Sequence, residues 1–450
     1  MAAAELSAAR IRALRGAVGS AAVLLEPEQR SEYAGDRSVA EPVIPAAVCL
    51  PATPEAVAEL MAVCARESIP VTARGAGTGK AGGCVPTPGA VVCGLERLVG
   101  VTRLSAADQQ AEVLAGTVTA DLNRAASAAG LFYPPDPASL DECSVGGNVA
   151  TNAGGPLCVK YGVTGDYVLG LDVVLADGRP LRVGRRSIKG VAGYDLRGLL
   201  VGSEGTLAVI TGVTVRLLPA PAEVRTAWIT FDSTVDACEG VQAILAAGVL
   251  PRALELLDTN ALRIAGGGAA LLLEVDGPVG TAAPQLERAV DVLGERPLAV
   301  RPADTAEKTA ALWELRRRAS DEIKQPFAHH LSEDIAVPTG RLAELLRRLG
   351  DLAATTPELT VVAYGHAGDG NLHVNLLYDD PDLGRRVRLL SEQVFRLALD
   401  LGGTITGEHG IGLLKRPYLA WEQDATALSL QRAVKQALDP AGILNPDKVL

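Results

Sequence analysis

The sequence predicts an α+β protein of more than one domain, and three observations carry that expectation. At 450 residues the chain is longer than one ordinary hydrophobic core serves. Its apolar fraction of 48% comes mainly from Ala, Val and Leu, with aromatics at only 3%, which suits layers of sheet and helix. After Pro219-Ala220-Pro221, the best candidate boundary, short β-prone runs alternate regularly with helical ones.

The elements follow in order. The stretch MAAAELSAARIRALRG is charged throughout, where a signal peptide needs an apolar block, and reads as the first helix of a cytoplasmic protein. Strand 47–50 leads to a helix begun by Thr53-Pro54-Glu55, a capping hydroxyl followed by proline at the first helical position, and then to a strand at 70–72. Strand 167–175 ends in the Asp177-Gly178 turn. Beyond Pro221 come strand 227–231, helix 236–247, strand 271–275, helix 284–293 and a helix carrying Leu312 to Arg316. The last helix is expected over 425–438, before Asp439-Pro440.

Bulk properties exclude several function classes. No apolar run reaches the roughly 18 residues of a membrane span. The net charge of −11 and pI near 5.1 offer no footprint for nucleic acid. Seven cysteines without C-x-x-C spacing fit reduced thiols.

Two kinds of stretch carry chemistry. The run 74–83, RGAGTGKAGG, places five glycines in ten residues, leaving bare backbone N–H groups free to turn toward an anion such as a pyrophosphate. Its spacing fits neither the dinucleotide G-x-G-x-x-G nor a P-loop, and a plain surface turn is the alternative. Two more glycine-punctuated segments occupy 134–155 and 193–212.

The other stretch is 361–378, VVAYGHAGDGNLHVNLLY, two β-prone runs around Asp369-Gly370. If that dipeptide is a two-residue hairpin loop, His366 and His373 face one another directly, with Tyr364 and Asn375 as the next pair. The chain has five histidines, and two meet here. A hairpin with two polar residues on its wet face is the plain alternative. Glu408-His409, in the Gly-rich loop 402–412, favours an ion: His366, His373 and Glu408 would form an open three-ligand site for Zn²⁺ or Mn²⁺.

Taken together, Tyr33-Ala34-Gly35-Asp36, the three Gly-rich segments, the paired histidines, Glu408-His409 and the terminal Ile443-Leu444-Asn445-Pro446-Asp447-Lys448 resemble the FAD-linked 2-hydroxyacid oxidases and dehydrogenases of vanillyl-alcohol-oxidase type. This family includes D-lactate and D-2-hydroxyglutarate dehydrogenases and the flavin subunit of glycolate oxidase. The resemblance spans essentially the whole chain. It implies a two-subdomain FAD-binding fold over 1–220, an α+β substrate (cap) domain over 221–405, and a C-terminal segment, 406–450, returning to the FAD domain.

By the same resemblance, Arg74, Gly75, Ala76, Gly77, Thr78, Gly82 and Gly83 hold the FAD pyrophosphate. Ser144, Gly147, Asn148, Thr151 and Gly155 line the flavin, Glu204, Gly205 and Ile210 close over it, and Asn445 lies near the ring. No histidine precedes position 329, so the histidyl-FAD link of some relatives is excluded and non-covalent FAD is expected. Arg316 aligns with an arginine that clamps the substrate carboxylate, and Ser320 shares its helix face. Relatives acting on 2-hydroxyglutarate place a lysine before the segment matching Asp334 to Pro338. Here His330-Leu331-Ser332-Glu333 stands there, which favours a monocarboxylate, with Lys324 as the cation that would compensate from another position.

The expected reaction is metal-assisted oxidation of a D-2-hydroxy acid such as D-lactate. His409 is the base, Arg316 and Asn375 orient the acid, and hydride passes to the flavin. A glycolate oxidase subunit and a D-2-hydroxyglutarate dehydrogenase are the alternatives within the family. A flavin reductase using NADPH and a zinc-stabilised binding module are the rivals outside it. The electron acceptor (oxygen, a quinone, a cytochrome or an electron-transfer flavoprotein) and a homodimer are left open.

Overall fold

The computed structural model describes residues 6–265 and 268–450; residues 1–5 of the expected first helix lie outside them. It divides into two compact units. Unit 1 comprises 1–153, 163–220 and 409–450, and unit 2 comprises 154–162 and 221–408. The segment 154–162, including Gly155, thus clusters with unit 2 rather than with the residues around it in sequence.

Unit 1 opens with helix Ala8–Val18, capped by Ser7. Its first sheet holds β1 (Val23–Leu24), β2 (Ala47–Cys49), β3 (Val71–Arg74) and β4 (Val91–Gly94) in the order β1-β2-β4-β3. The parallel pairing of β2 and β3 with β4 needs a crossover, and helix Pro54–Glu67 supplies it. Thr53 accepts the Ala56 N–H at 3.2 Å, and Val57, Leu60, Met61 and Cys64 turn inward at helical spacing. The next strands are β5 (Val101–Ser105), β6 (Gln110–Leu114), the short β7 (Leu131–Phe132), β8 (Val168–Val174), β9 (Pro180–Gly184), β10 (Val209–Arg216) and the short β11 (Leu218–Pro219). They form an antiparallel sheet in the order β5-β6-β10-β8-β9 and a separate β7·β11 ladder.

Unit 2 is one seven-stranded antiparallel sheet. Its strands are β12 (Glu223–Phe231), β13 (Ala253–Leu257), β14 (Ala269–Gly277), β15 (Pro297–Ala303), β16 (His329–Ala336), β17 (Thr360–His366) and β18 (Asn371–Tyr378). They run in the order β15-β12-β14-β13-β17-β18-β16. The face bearing Trp228, Leu257, Leu272, Val362, Tyr364 and Leu377 packs against Ala261 and Leu262 of helix Thr259–Ala265, against Leu312 and Ala319 of helix Ala306–Glu322, and against Ile323 just past that helix.

The β17–β18 hairpin departs from the expected register. Tyr364 pairs with His373 and His366 with Asn371, so the loop is the four residues 367–370. His366 accepts the Gly370 N–H at 3.1 Å through its carbonyl, and Asp369 accepts the Asn371 N–H at 3.2 Å. The aspartate bonding its own chain two residues on closes a wider turn than the two-residue loop Asp369-Gly370 suggests. His366 and His373 are therefore diagonal neighbours, and Asn375 faces Val362 rather than Tyr364. The displacement is by an even number of residues, so both imidazoles keep the same face of the sheet.

Candidate metal centre and flavin cradle

In unit 2 the two histidines converge with Glu408. Their ring centroids lie 5.5 Å apart at an interplanar angle of 86°. Glu408 Oε1 stands 3.6 Å from His366 Nε2 and 3.5 Å from His373 Nε2. Two donors each about 2.1 Å from a tetrahedral ion are themselves roughly 3.4 Å apart, so the spacing fits one divalent cation. One ligand atom from each of the three residues lies within 4.8 Å of the others, and among the described residues no other group of His, Cys, Asp and Glu meets that condition.

The surroundings fix these ligands. Asp334 is fully buried, and its Oδ2 accepts the Glu408 N–H at 2.9 Å and the Thr406 hydroxyl at 3.0 Å, tying the 406–408 loop to β16. Its Oδ1 accepts from Asn371 Nδ2 at 2.6 Å, which ties the same loop to the end of the hairpin. Gly154 leaves room for Glu408: a Cβ there would sit 2.8 Å from Oε2.

Glu255, directly opposite His366 in the β13–β17 pairing, meets His366 Nδ1 at 2.6 Å. Burial raises the Glu255 carboxyl, but the charges of His366 and Arg316 outweigh it and bring its pKa down to about 2. Glu408 is also brought to about 2, because its bond to His366 and the charges of both imidazoles outweigh the effect of burial. Both carboxylates are ionised at neutral pH, as ligand chemistry requires.

Arg316 is 8% exposed; its Nε and Nη2 donate to Glu255 Oε2 at 3.1 and 2.8 Å, and its guanidinium lies 4.9 Å from the centre of the Tyr364 ring. Ser320 follows on the same helix, with its side chain outside the described residues. Asn375 is fully buried. Its Oδ1 accepts from the Ser332 hydroxyl at 2.6 Å, while Nδ2 makes only long bonds of 3.2 and 3.5 Å to His373 and Val362 carbonyls. His409 is half-buried and is the first residue of the last segment of unit 1.

The Gly-rich residues of unit 1 gather into a cradle. Strand β3 delivers Arg74, which donates to the Gly35 carbonyl and lies 5.5 Å over the Tyr33 ring. A Cβ at Gly75 would collide with the Ser144 hydroxyl, and Gly77 and Gly82 hold φ of +71° and +80°. Ser144 caps helix Val145–Thr151 by accepting the Gly147 N–H at 3.2 Å, and Asn148 donates to Thr119 Oγ1 at 2.7 Å. The Thr151 hydroxyl donates to the Gly147 carbonyl at 3.2 Å, and Ile210 is buried in β10.

Glu204 accepts the N–H groups of Ile411 and Gly412 at 2.8 and 2.9 Å. Burial drives its pKa up to about 7 against those two bonds. Asn445 donates to the carbonyls of Gly83 and Glu204 at 2.9 and 2.8 Å, while its buried Oδ1 has no partner among the described residues. Backbone stripped of side chains beside an orphaned amide oxygen fits a ligand that brings phosphate acceptors and its own donors, as FAD does.

A model of the FAD-linked oxidase C-terminal domain matches residues 220–449, and an FAD-binding domain matches 45–184. The chain belongs to the FAD-linked oxidases. It is 37% identical to glycolate oxidase subunit GlcD of Bacillus subtilis, over 93% of this chain and 92% of that one. It is 36% identical to a D-lactate dehydrogenase of Archaeoglobus fulgidus, over 90% and 91%. Among solved structures, 4-ethylphenol oxidase from Gulosibacter chungangensis superposes with a TM-score of 0.81 at 21% identity, covering 100% of this chain and 98% of that one. The protein is thus an FAD-linked oxidoreductase of the glycolate oxidase and D-lactate dehydrogenase family with the vanillyl-alcohol-oxidase-type fold. Among the described residues, no helix of this oxidoreductase is long and apolar enough to cross a membrane.

Sequence reasoning passed over Glu255, Asp334 and Gly154. Glu255 had a signal: it interrupts the otherwise apolar strand Ala253–Leu257, all of which is buried.

Proposed function

We propose that this flavoprotein oxidises a D-2-hydroxy acid, D-lactate or a similar monocarboxylate, to the 2-oxo acid. The observation that carries the reading is the convergence of His366, His373 and Glu408 on one point, with Arg316 held one carboxylate away. When bound, FAD supplies the hydride acceptor, and a divalent ion, Zn²⁺ or Mn²⁺, makes the substrate hydroxyl more acidic. His366, His373 and Glu408 hold that ion, and the cradle of unit 1 holds FAD without a covalent link. The Arg316 guanidinium binds the substrate carboxylate. Asn375 Nδ2, only loosely held by its long bonds, turns to orient the acid. The His409 imidazole accepts the hydroxyl proton as the Cα hydrogen leaves. The residues immediately before Asp334, His330-Leu331-Ser332-Glu333, include no lysine, which favours a substrate with one carboxylate; Lys324 is the lysine next before them in the sequence.

Likeness to a glycolate oxidase subunit puts glycolate beside D-lactate as the first acid to test. The protein is mixed without air with D-lactate, glycolate, D-2-hydroxyglutarate or NADPH, and flavin absorbance is followed. Bleaching by a monocarboxylate, its loss on chelation with FAD retained, and its restoration by Zn²⁺ or Mn²⁺ support the reading. Bleaching by NADPH alone defeats it. His409→Ala is expected to keep flavin and metal but slow bleaching by at least 100-fold.

A further inference from the structure

Glu255 is 1% exposed on a strand whose other residues are apolar. A carboxylate in such a place destabilises the fold unless its oxygens are well bonded. Here each oxygen serves a different partner: Oε2 takes Arg316 Nε and Nη2 at 3.1 and 2.8 Å, and Oε1 takes His366 Nδ1 at 2.6 Å. An arginine only donates and an ionised carboxylate only accepts. Nδ1 therefore carries a proton, and Nε2, the atom 3.6 Å from Glu408 Oε1, is the nitrogen left to offer its lone pair to an ion.

From this geometry we infer that Glu255 is a positioning residue: it fixes His366 in the Nδ1–H tautomer, which makes Nε2 a metal ligand, and anchors Arg316 to the same carboxylate. The inference rests on the metal reading proposed above. It gives Arg316 a second role besides binding a carboxylate, because Arg316 dictates which way an amide would face at position 255. In Glu255→Gln the amide oxygen must turn to the arginine, so its NH₂ meets Nδ1. The imidazole then has to accept there, its proton moves to Nε2, and the ligand lone pair is lost. Removing the arginine frees the amide to rotate and restores an acceptor to Nδ1.

Zn²⁺ affinity, read by competition with a chromophoric chelator on FAD-loaded protein, tests this as a double-mutant cycle. E255Q is expected to weaken Zn²⁺ binding by about 10- to 100-fold, the usual effect of losing such a partner. R316M alone should leave it within about threefold, and R316M with E255Q should regain most of the loss. E255D, which keeps an acceptor, should lose less than E255Q. The thermal midpoint and circular dichroism of each variant report the fold of unit 2, and flavin absorbance that of unit 1. Parental affinity in E255Q, no recovery in the double variant, or a loss in E255D as large as in E255Q overturns the inference while leaving the metal reading standing. A parent protein that binds no Zn²⁺ or Mn²⁺ overturns both.

Discussion

At the scale of single residues, burial decides chemistry that residue type alone leaves open. Glu204, which the resemblance to the FAD-linked oxidases sets over the flavin, is 9% exposed and serves as the acceptor for two backbone amides. Its pKa rises from 4.5 to about 7, so between those values the folded chain binds a proton that the unfolded chain releases. Its contribution to stability is complete below pH 4.5 and is lost as pH rises through about 7, amounting to about 3 kcal/mol. Glu204→Gln should remove that part of the pH dependence. Urea titrations of both proteins at pH 5 and pH 7.5 check this: the gap between the two pH values should shrink in the variant.

Gly154 is the steric counterpart. Gly154→Ala puts a methyl against Glu408 and should at least halve the metal content at fixed Zn²⁺ while FAD content holds, as mass spectrometry of the metal and flavin absorbance would show. The paired histidines and Glu408 were legible because few residue types bind ions and the chain has only five histidines. Glu255 and Asp334 were not, because their partners are distant in sequence. Glu255 bonds residues 61 and 111 positions away, and only the assembled sheet brings them together.

Elements were legible where both ends carry a stop signal. Helix Ala425–Leu438 lies where the sequence places it, with Asp424 accepting the Ala427 N–H at 2.8 Å and Pro440 two residues past its end. The hairpin was legible in existence and face but not in register. The side chain of Asp369 bonds its own backbone and widens the loop, and this local competition cannot be seen in a two-letter turn signal. Gly370 is essential for a reason beyond its φ of +85°: a Cβ there would collide with the Val337 carbonyl, at the end of the neighbouring strand. Gly370→Ala combines a left-handed backbone with a backbone clash and should cost about 2–4 kcal/mol. Because His366 and His373 flank this turn, the variant should also weaken Zn²⁺ binding. A thermal melt with and without Zn²⁺ checks both effects: the midpoint should fall, and the Zn²⁺-induced rise should shrink.

For the molecule as a whole, the chain passes between its two units four times, and the shortest visit is 154–162 in unit 2. Composition gave no hint of that visit; the segment is glycine-rich like its neighbours, and two of its side chains bond into unit 2. The Lys160 ammonium pairs with Asp276 and donates to its carbonyl at 2.9 Å, and the Tyr161 hydroxyl donates to Asp276 Oδ2 at 2.7 Å. The Asp276 side chain is fully buried, with Arg252 at 2.9 Å as its third partner. Burial raises the Asp276 carboxyl, but the bonds from Lys160 and Tyr161 and the charge of Arg252 outweigh it and hold it below 3.8. The stability this provides is present above pH 3.8 and is lost as pH falls through the lower folded value. Lys160→Met leaves a buried carboxylate short of one cation and loosens the segment that carries Gly154 beneath Glu408. Removing one partner of a buried pair costs about 3–5 kcal/mol, reduced here because Arg252 stays. The loss should therefore be greatest at neutral pH and shrink toward pH 4, where Asp276 can take up a proton instead. Denaturation midpoints at pH 7 and pH 4 decide it, since a purely steric role for Lys160 predicts the same loss at both.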